Sequence, residues 1–86
     1  MEEYKFVAKI VDMGSKKTQI ELRNKFTVGE SLEVLSANKY SGKTFVVEYA
    51  KDEKGNDLTV CNRVKQLLTI NCPYPLQPGD ILRKKL

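Results

Sequence analysis

The sequence has no histidine and only two cysteines, Cys61 and Cys72. Without an imidazole there is no Ser/His or Cys/His pair to activate a nucleophile, and zinc loses its commonest nitrogen ligand. Two cysteines are too few for a disulfide framework, so both read as reduced, buried thiols; the competing use is a redox pair brought together by adjacent strands. No glycine-rich phosphate cradle is present, and no cofactor or metal site is expected. No apolar run approaches the ~18 residues of a membrane span, and no charged-then-apolar leader is seen, which predicts a cytoplasmic protein without a membrane partner. Nor does any segment sustain a 3.6-residue period for three turns, which leaves little room for helix.

What is present is a chain of 86 residues and 9.8 kDa, enough for one domain (1–86) with one small core. The formal charge is +4 and the pI about 9.1, a balance that suits nucleic acid or an acidic protein patch. Most lysines are scattered among Glu and Asp, and Arg83-Lys84-Lys85 is the one basic run, read most simply as a solvated C-terminal tail.

Period-2 alternation marks strands at Tyr4 to Val11, with Tyr4, Phe6, Ala8 and Ile10 on one face, and at Thr18 to Arg23, joined by the polar turn Asp12 to Lys17. It resumes at Ser31 to Leu35, Thr44 to Tyr49 and Leu67 to Cys72. A short strand is expected at Leu58 to Cys61 and a last one at Ile81 to Arg83, whereas Asn62 to Gln66 reads as a helical turn or irregular link. Turn signals every ~8–12 residues predict an all-β fold: a small closed or distorted β-barrel of six to seven short strands, since closure removes exposed edges.

The corners carry the clearest signal. Leu76-Gln77-Pro78-Gly79-Asp80-Ile81-Leu82 aligns without gaps on Phe26-Thr27-Val28-Gly29-Glu30-Ser31-Leu32. Gly29 and Gly79 sit where a type II turn needs positive φ, Pro78 precedes Gly79 at the position proline favours, and Asp80 matches Glu30. Phe26 is the apolar anchor of the first corner, and Asn24 reads as structural, either through positive φ or by bonding nearby backbone.

Candidate binding residues are the polar pair Arg23 and Lys25, the loop tyrosine Tyr40, Tyr74 between two prolines, and Arg83 and Lys84. Tyr40 and Tyr74 are the aromatics positioned to stack bases, whereas Tyr4, Phe6, Phe45 and Tyr49 are assigned to the core. Their plainer roles are a solvated loop for Tyr40 and a lid on the barrel for Tyr74. Asp12-Met13-Gly14-Ser15 resembles the active-site loop of retroviral-type aspartic proteases. Met13 lacks the hydroxyl that braces such a loop, however, and no later apolar-apolar-Gly motif exists, so the segment reads as a hairpin turn.

Leu22 to Val34, Asp52-Glu53-Lys54-Gly55 and Pro78-Gly79-Asp80-Ile81-Leu82-Arg83 together resemble the C-terminal domain of peptidase family U32, named as collagenase-like peptidases, from about Val11 to Lys85. The resemblance departs at Ser36-Ala37-Asn38, where a Gly/Pro turn is usual, and at Cys61-Asn62-Arg63, where a Pro- or His-containing link is common. It implies an accessory β-barrel similar to the second domain of elongation factor Tu. That barrel would end a larger hydrolase whose catalytic domain lies elsewhere. The expected partners are that catalytic domain and a protein substrate or partner. RNA is the alternative, because the family also includes factors for tRNA or ribosomal RNA hydroxylation.

Overall fold

Three residues decide the shape of the molecule. The structure, a computed structural model, describes residues 3–14 and 17–86. Its strands are β1 (Tyr4–Met13), β2 (Thr18–Leu22), β3 (Phe26–Thr27), β4 (Ser31–Leu35), β5 (Thr44–Val46), β6 (Ala50–Lys51), β7 (Asp57–Leu58), β8 (Val60–Cys61), β9 (Leu67–Ile70) and β10 (Ile81–Lys85). The main sheet runs β5-β4-β10-β1-β2-β9-β6-β7, all antiparallel, and β3 pairs β8 separately. In a flat sheet β5 and β6 would lie about 29 Å apart, at ~4.8 Å per strand. Residues 47–49, which join them, span at most about 14 Å. The sheet must therefore curl, and the distorted all-β barrel expected from the alternation is the observed fold.

The described strands number ten rather than six or seven. The extra ones are two-residue pieces where the chain changes partner, too short for alternation to show. Leu58 to Cys61, expected as one strand, divides in this way: Leu58 pairs Ala50 in the main sheet, and Cys61 pairs Phe26 in the small one. Asn62 to Gln66 is a tight link with Lys65 at φ 69°, held as the Lys65 N–H donates to the Leu22 carbonyl and Leu22 N–H to the Gln66 carbonyl.

The curl leaves a seam between β5 and β6, closed by one side chain. The Asn71 carboxamide oxygen accepts from Glu48 N–H at 2.7 Å and Tyr49 N–H at 3.3 Å, while its nitrogen donates to the Val46 carbonyl at 2.9 Å. An amide side chain thus replaces ladder bonds that the changing register cannot supply. Phe45 and Val47 are buried on one face, as the alternation requires, but Tyr49 is only half-buried because alternation slips before Ala50.

Both corners form as the matching residues imply. Gly29 has φ +103° and Gly79 φ +96°. Glu30 N–H donates to the Thr27 carbonyl and Asp80 N–H to the Gln77 carbonyl, each at 3.0 Å. The acid then returns the bond: Thr27 N–H donates to the Glu30 carboxylate at 2.6 Å and Gln77 N–H to the Asp80 carboxylate at 2.8 Å. Gly29 and Glu30 bond the backbone of Val47, and Gly79 and Asp80 bond that of Ile10 in the same pattern. Phe26 and Leu76 before the corners, and Leu32 and Leu82 after them, are buried in one core. Since β4 and β10 are antiparallel neighbours, the corners stand at opposite ends of that pair. Ser36 Oγ bonds the Asp80 carboxylate, and Lys84 Nζ reaches that of Glu30.

Two expectations fail at the ends of the chain. A β-bulge between Phe6 and Ala8 buries the consecutive residues Val7 and Ala8, which turns Tyr4 and Phe6 outward, 36% and 39% exposed, instead of into the core. Arg83-Lys84-Lys85 is not a tail but part of β10, a strand paired with β1 on one side and β4 on the other. The polar turn after Met13 closes through Gly14 N–H to the Lys17 carbonyl; Ser15 and Lys16 lie outside the described residues.

Candidate functional site

The bulge in β1 organises one surface. Its carbonyls point toward the residues that follow β2: Arg23 N–H and Asn24 N–H both donate to the Val7 carbonyl, at 2.7 and 3.1 Å, and the Asn24 side-chain amide donates to the Phe6 carbonyl at 2.6 Å. Asn24 is therefore structural through backbone bonding, without positive φ. The clamp presents Phe6 beside the Arg23 guanidinium, 5.9 Å from the ring centre, and Tyr4 beneath that of Arg83, at 3.7 Å. Arg83 Nε also donates to Glu33 at 2.5 Å, and Arg23 pairs with Glu21 at 3.0 Å, so acidic neighbours hold both planar cations in place. Arg23 Nε is buried with no acceptor. Lys84 is committed elsewhere: its ammonium donates to the Lys25 carbonyl at 3.0 Å and lies 3.4 Å from Glu30. Arg23 and Arg83 are thus brought beside Phe6 and Tyr4, whereas Lys84 reaches away to the Lys25 carbonyl and Glu30.

Tyr40 and Tyr74 belong to a different grouping. Their ring centres are 5.6 Å apart, and Tyr74 meets Phe45 edge-on at 6.3 Å. The Tyr74 hydroxyl donates to the Thr44 carbonyl at 2.8 Å, which ties the Pro73-Tyr74-Pro75 segment across the barrel. Both rings are half-buried against the core, so Tyr74 is the lid that the plainer reading describes, and Tyr40 is packed rather than solvated. The loop before it is held by its own side chains: Ser36 Oγ accepts from Asn38 N–H, and the Asn38 carboxamide from Tyr40 N–H. Beside Tyr74 opens a groove of about 750 Å³, lined by Tyr49, Cys72, Pro73, Pro75, Val46 and Glu48 among others.

These places offer aromatic rings, paired guanidinium groups and two thiols. Cys61 and Cys72 are free, and burial pushes both thiols above their ordinary value, most simply away from the reactive thiolate. Cys72 Sγ lies 3.6 Å from the Tyr74 carbonyl, while Cys61 is paired in the small sheet. Asp12 is exposed within β1, opposite Gln19, on a ladder rather than in a braced loop. Among the described residues no group of three His, Cys, Asp or Glu side chains could hold a metal ion.

Sequence reasoning missed Tyr4, Phe6 and Asn71. The signal for the first two was the pair Val7-Ala8, two apolar neighbours that cannot both be buried on a regular strand. For Asn71 there was none, because its partners are more than twenty residues away.

Fold and surface together define a small antiparallel half-barrel that carries a pair of outward aromatics flanked by arginine and, apart from them, a groove beside a tyrosine. The chain belongs to peptidase family U32: the family's C-terminal domain matches residues 2–83. Two crystal structures of the C-terminal domain of a Geobacillus thermoleovorans protein assigned to that family share its fold. One, a selenomethionine variant, has 24% identity and a TM-score of 0.83 over 93% of this chain and 99% of that one. The other has 23% identity and a TM-score of 0.84 over 95% and 92%. No curated protein matches the chain significantly.

Proposed function

We propose that this U32-family domain is a non-catalytic accessory barrel of a larger cytoplasmic hydrolase. It docks a protein partner or presents substrate to the catalytic domain of the same parent chain. The observation that carries this reading is the groove beside Tyr74: about 750 Å³, walled by tyrosine and proline, with a half-exposed Val46 at its rim. Such a site favours an extended polypeptide, and its rigid aromatic wall lowers the entropic cost of binding. The test is calorimetric titration of the domain with the separately prepared catalytic domain of its parent and with that enzyme's substrate protein. Binding that Val46→Asp or Tyr74→Ala weakens about tenfold or more supports docking. The absence of binding to either overturns it.

A second reading, RNA binding in a U32-type RNA-hydroxylation factor, is favoured by the basic strand β10 beside the outward aromatics Tyr4 and Phe6. Total RNA, titrated alongside at low and high salt, distinguishes the two. Salt-dependent retention of RNA with no affinity for protein selects the second.

A further inference from the structure

We propose that the groove beside Tyr74 takes a proline-rich segment in the polyproline II conformation, one of whose carbonyls accepts from the Val46 N–H. The inference rests on the docking reading above and names the kind of polypeptide that the groove selects.

Parity along β5 decides which groups reach the groove. Val47 N–H donates to the Glu30 carbonyl and Val34 N–H to the Lys43 carbonyl, so residues 43, 45 and 47 are the ones that bond β4. Thr44 and Val46 therefore turn both their N–H and their C=O groups to the other edge, where β5 has no strand neighbour. On that edge the two carbonyls are already taken. The Tyr74 hydroxyl donates to that of Thr44 at 2.8 Å, and the Asn71 side-chain nitrogen to that of Val46 at 2.9 Å. The Val46 N–H lies between these two caps and, among the described residues, has no acceptor. Val46, Asn71 and Tyr74 all line the groove. Its β5 wall thus offers a donor while its acceptors are capped.

That asymmetry of charge is complementary to proline. A pairing strand would bring N–H groups to an edge whose carbonyls are occupied, and would leave them without partners. A proline segment carries carbonyls and no N–H, so it presents only the negative ends of its peptide groups to the Val46 donor. Polyproline II has about three residues per turn, so about one carbonyl in three faces a given wall, which is enough for one free donor. The rest of the lining suits pyrrolidine rings: Tyr49, Pro73, Tyr74 and Pro75 give the flat and rigid apolar surfaces on which proline-rich ligands dock. Tyr74 already packs on Tyr40 and Phe45, whereas Tyr49 makes no ring contact among the described residues, so its ring is the one left for a ligand.

The test is titration of the 86-residue chain with decaproline and with a Thr-Gln repeat of the same length, which is free to pair as a strand, followed by amide NMR. The expected result is saturable binding of decaproline with its largest shift at the Val46 amide, and binding of the repeat that is weaker by about tenfold or more. Tyr49→Ala and Tyr49→Leu should each weaken decaproline about tenfold; the Val46 shift is read on the wild-type chain and does not depend on how those variants fold. The proline reading is overturned if the repeat binds as tightly as decaproline, if bound decaproline leaves the Val46 amide unmoved, or if folded Tyr49 variants bind it as the wild type does. Should decaproline fail to bind while the parent's catalytic domain or substrate protein still shifts Val46, the proline reading falls and the docking reading stands. Binding of none of them overturns both.

Discussion

Gly29 and Gly79 occupy backbone that L-residues avoid, at φ +103° and +96°, yet a Cβ on either would meet nothing within 4 Å. A substitution there costs strain and no collision. Gly29→Val and Gly79→Val are each expected to lower stability by about 1–3 kcal/mol, measured by urea unfolding, with asparagine losing less than valine; an unchanged midpoint would contradict the corner role. Asp52 is a residue at which protonation is linked to folding. Backbone and side-chain hydrogen bonds from Asn56, then the Lys54 N–H and charge, hold its carboxyl below the ordinary 3.8. A depressed folded value means that its contribution is present above pH 3.8 and is lost as pH falls from there through the lower folded value. Asp52→Asn should therefore flatten the acid limb of a pH–melting curve below that value, and parallel limbs in variant and wild type would remove Asp52 from the account.

Elements depend on contacts that cross long stretches of sequence. Asn71 joins the exit of β9 to the β5–β6 crossover, and Asn71→Ala should cost about 1–3 kcal/mol and speed amide exchange at Glu48 and Tyr49 before that of β1. Exchange that stays slow at those two amides would mean that the seam is held by other contacts. The thiols report on the same region. Cys72 should alkylate slowly near neutral pH, because burial favours its protonated form, and faster as pH rises; Cys61, fully buried in β8, should react only on unfolding. At this scale the sequence was legible wherever alternation ran unbroken: Ile20 and Leu22, Leu32 and Val34, and Leu68 and Ile70 are buried as their spacing requires. It was illegible at β1, where a bulge reverses the facing of Tyr4 and Phe6, and at the two-residue strands, which are shorter than one period of the pattern.

For the whole molecule, Phe26 joins the small sheet to the main core. It is fully buried and pairs across to Cys61. Phe26→Ala should cost about 3–5 kcal/mol, a large share of the ~4–13 kcal/mol typical for a chain of this length, and calorimetry should show it as a lower melting temperature for the entire domain; a local loss confined to β3 and β8 would show that the two sheets fold separately. The sequence by itself determined the all-β class, the period of the long strands and both glycine corners, because steric limits on φ and the two-residue alternation act within a few residues. Only the tertiary structure decided the rest: that Arg83-Lys84-Lys85 lies in a central strand, that Tyr40 and Tyr74 pack half-buried against the core, and that Tyr4 and Phe6 face solvent. Each of those outcomes depends on which distant strand supplies the pairing partner, and a bulge of one residue is enough to exchange the buried face for the solvent-facing one.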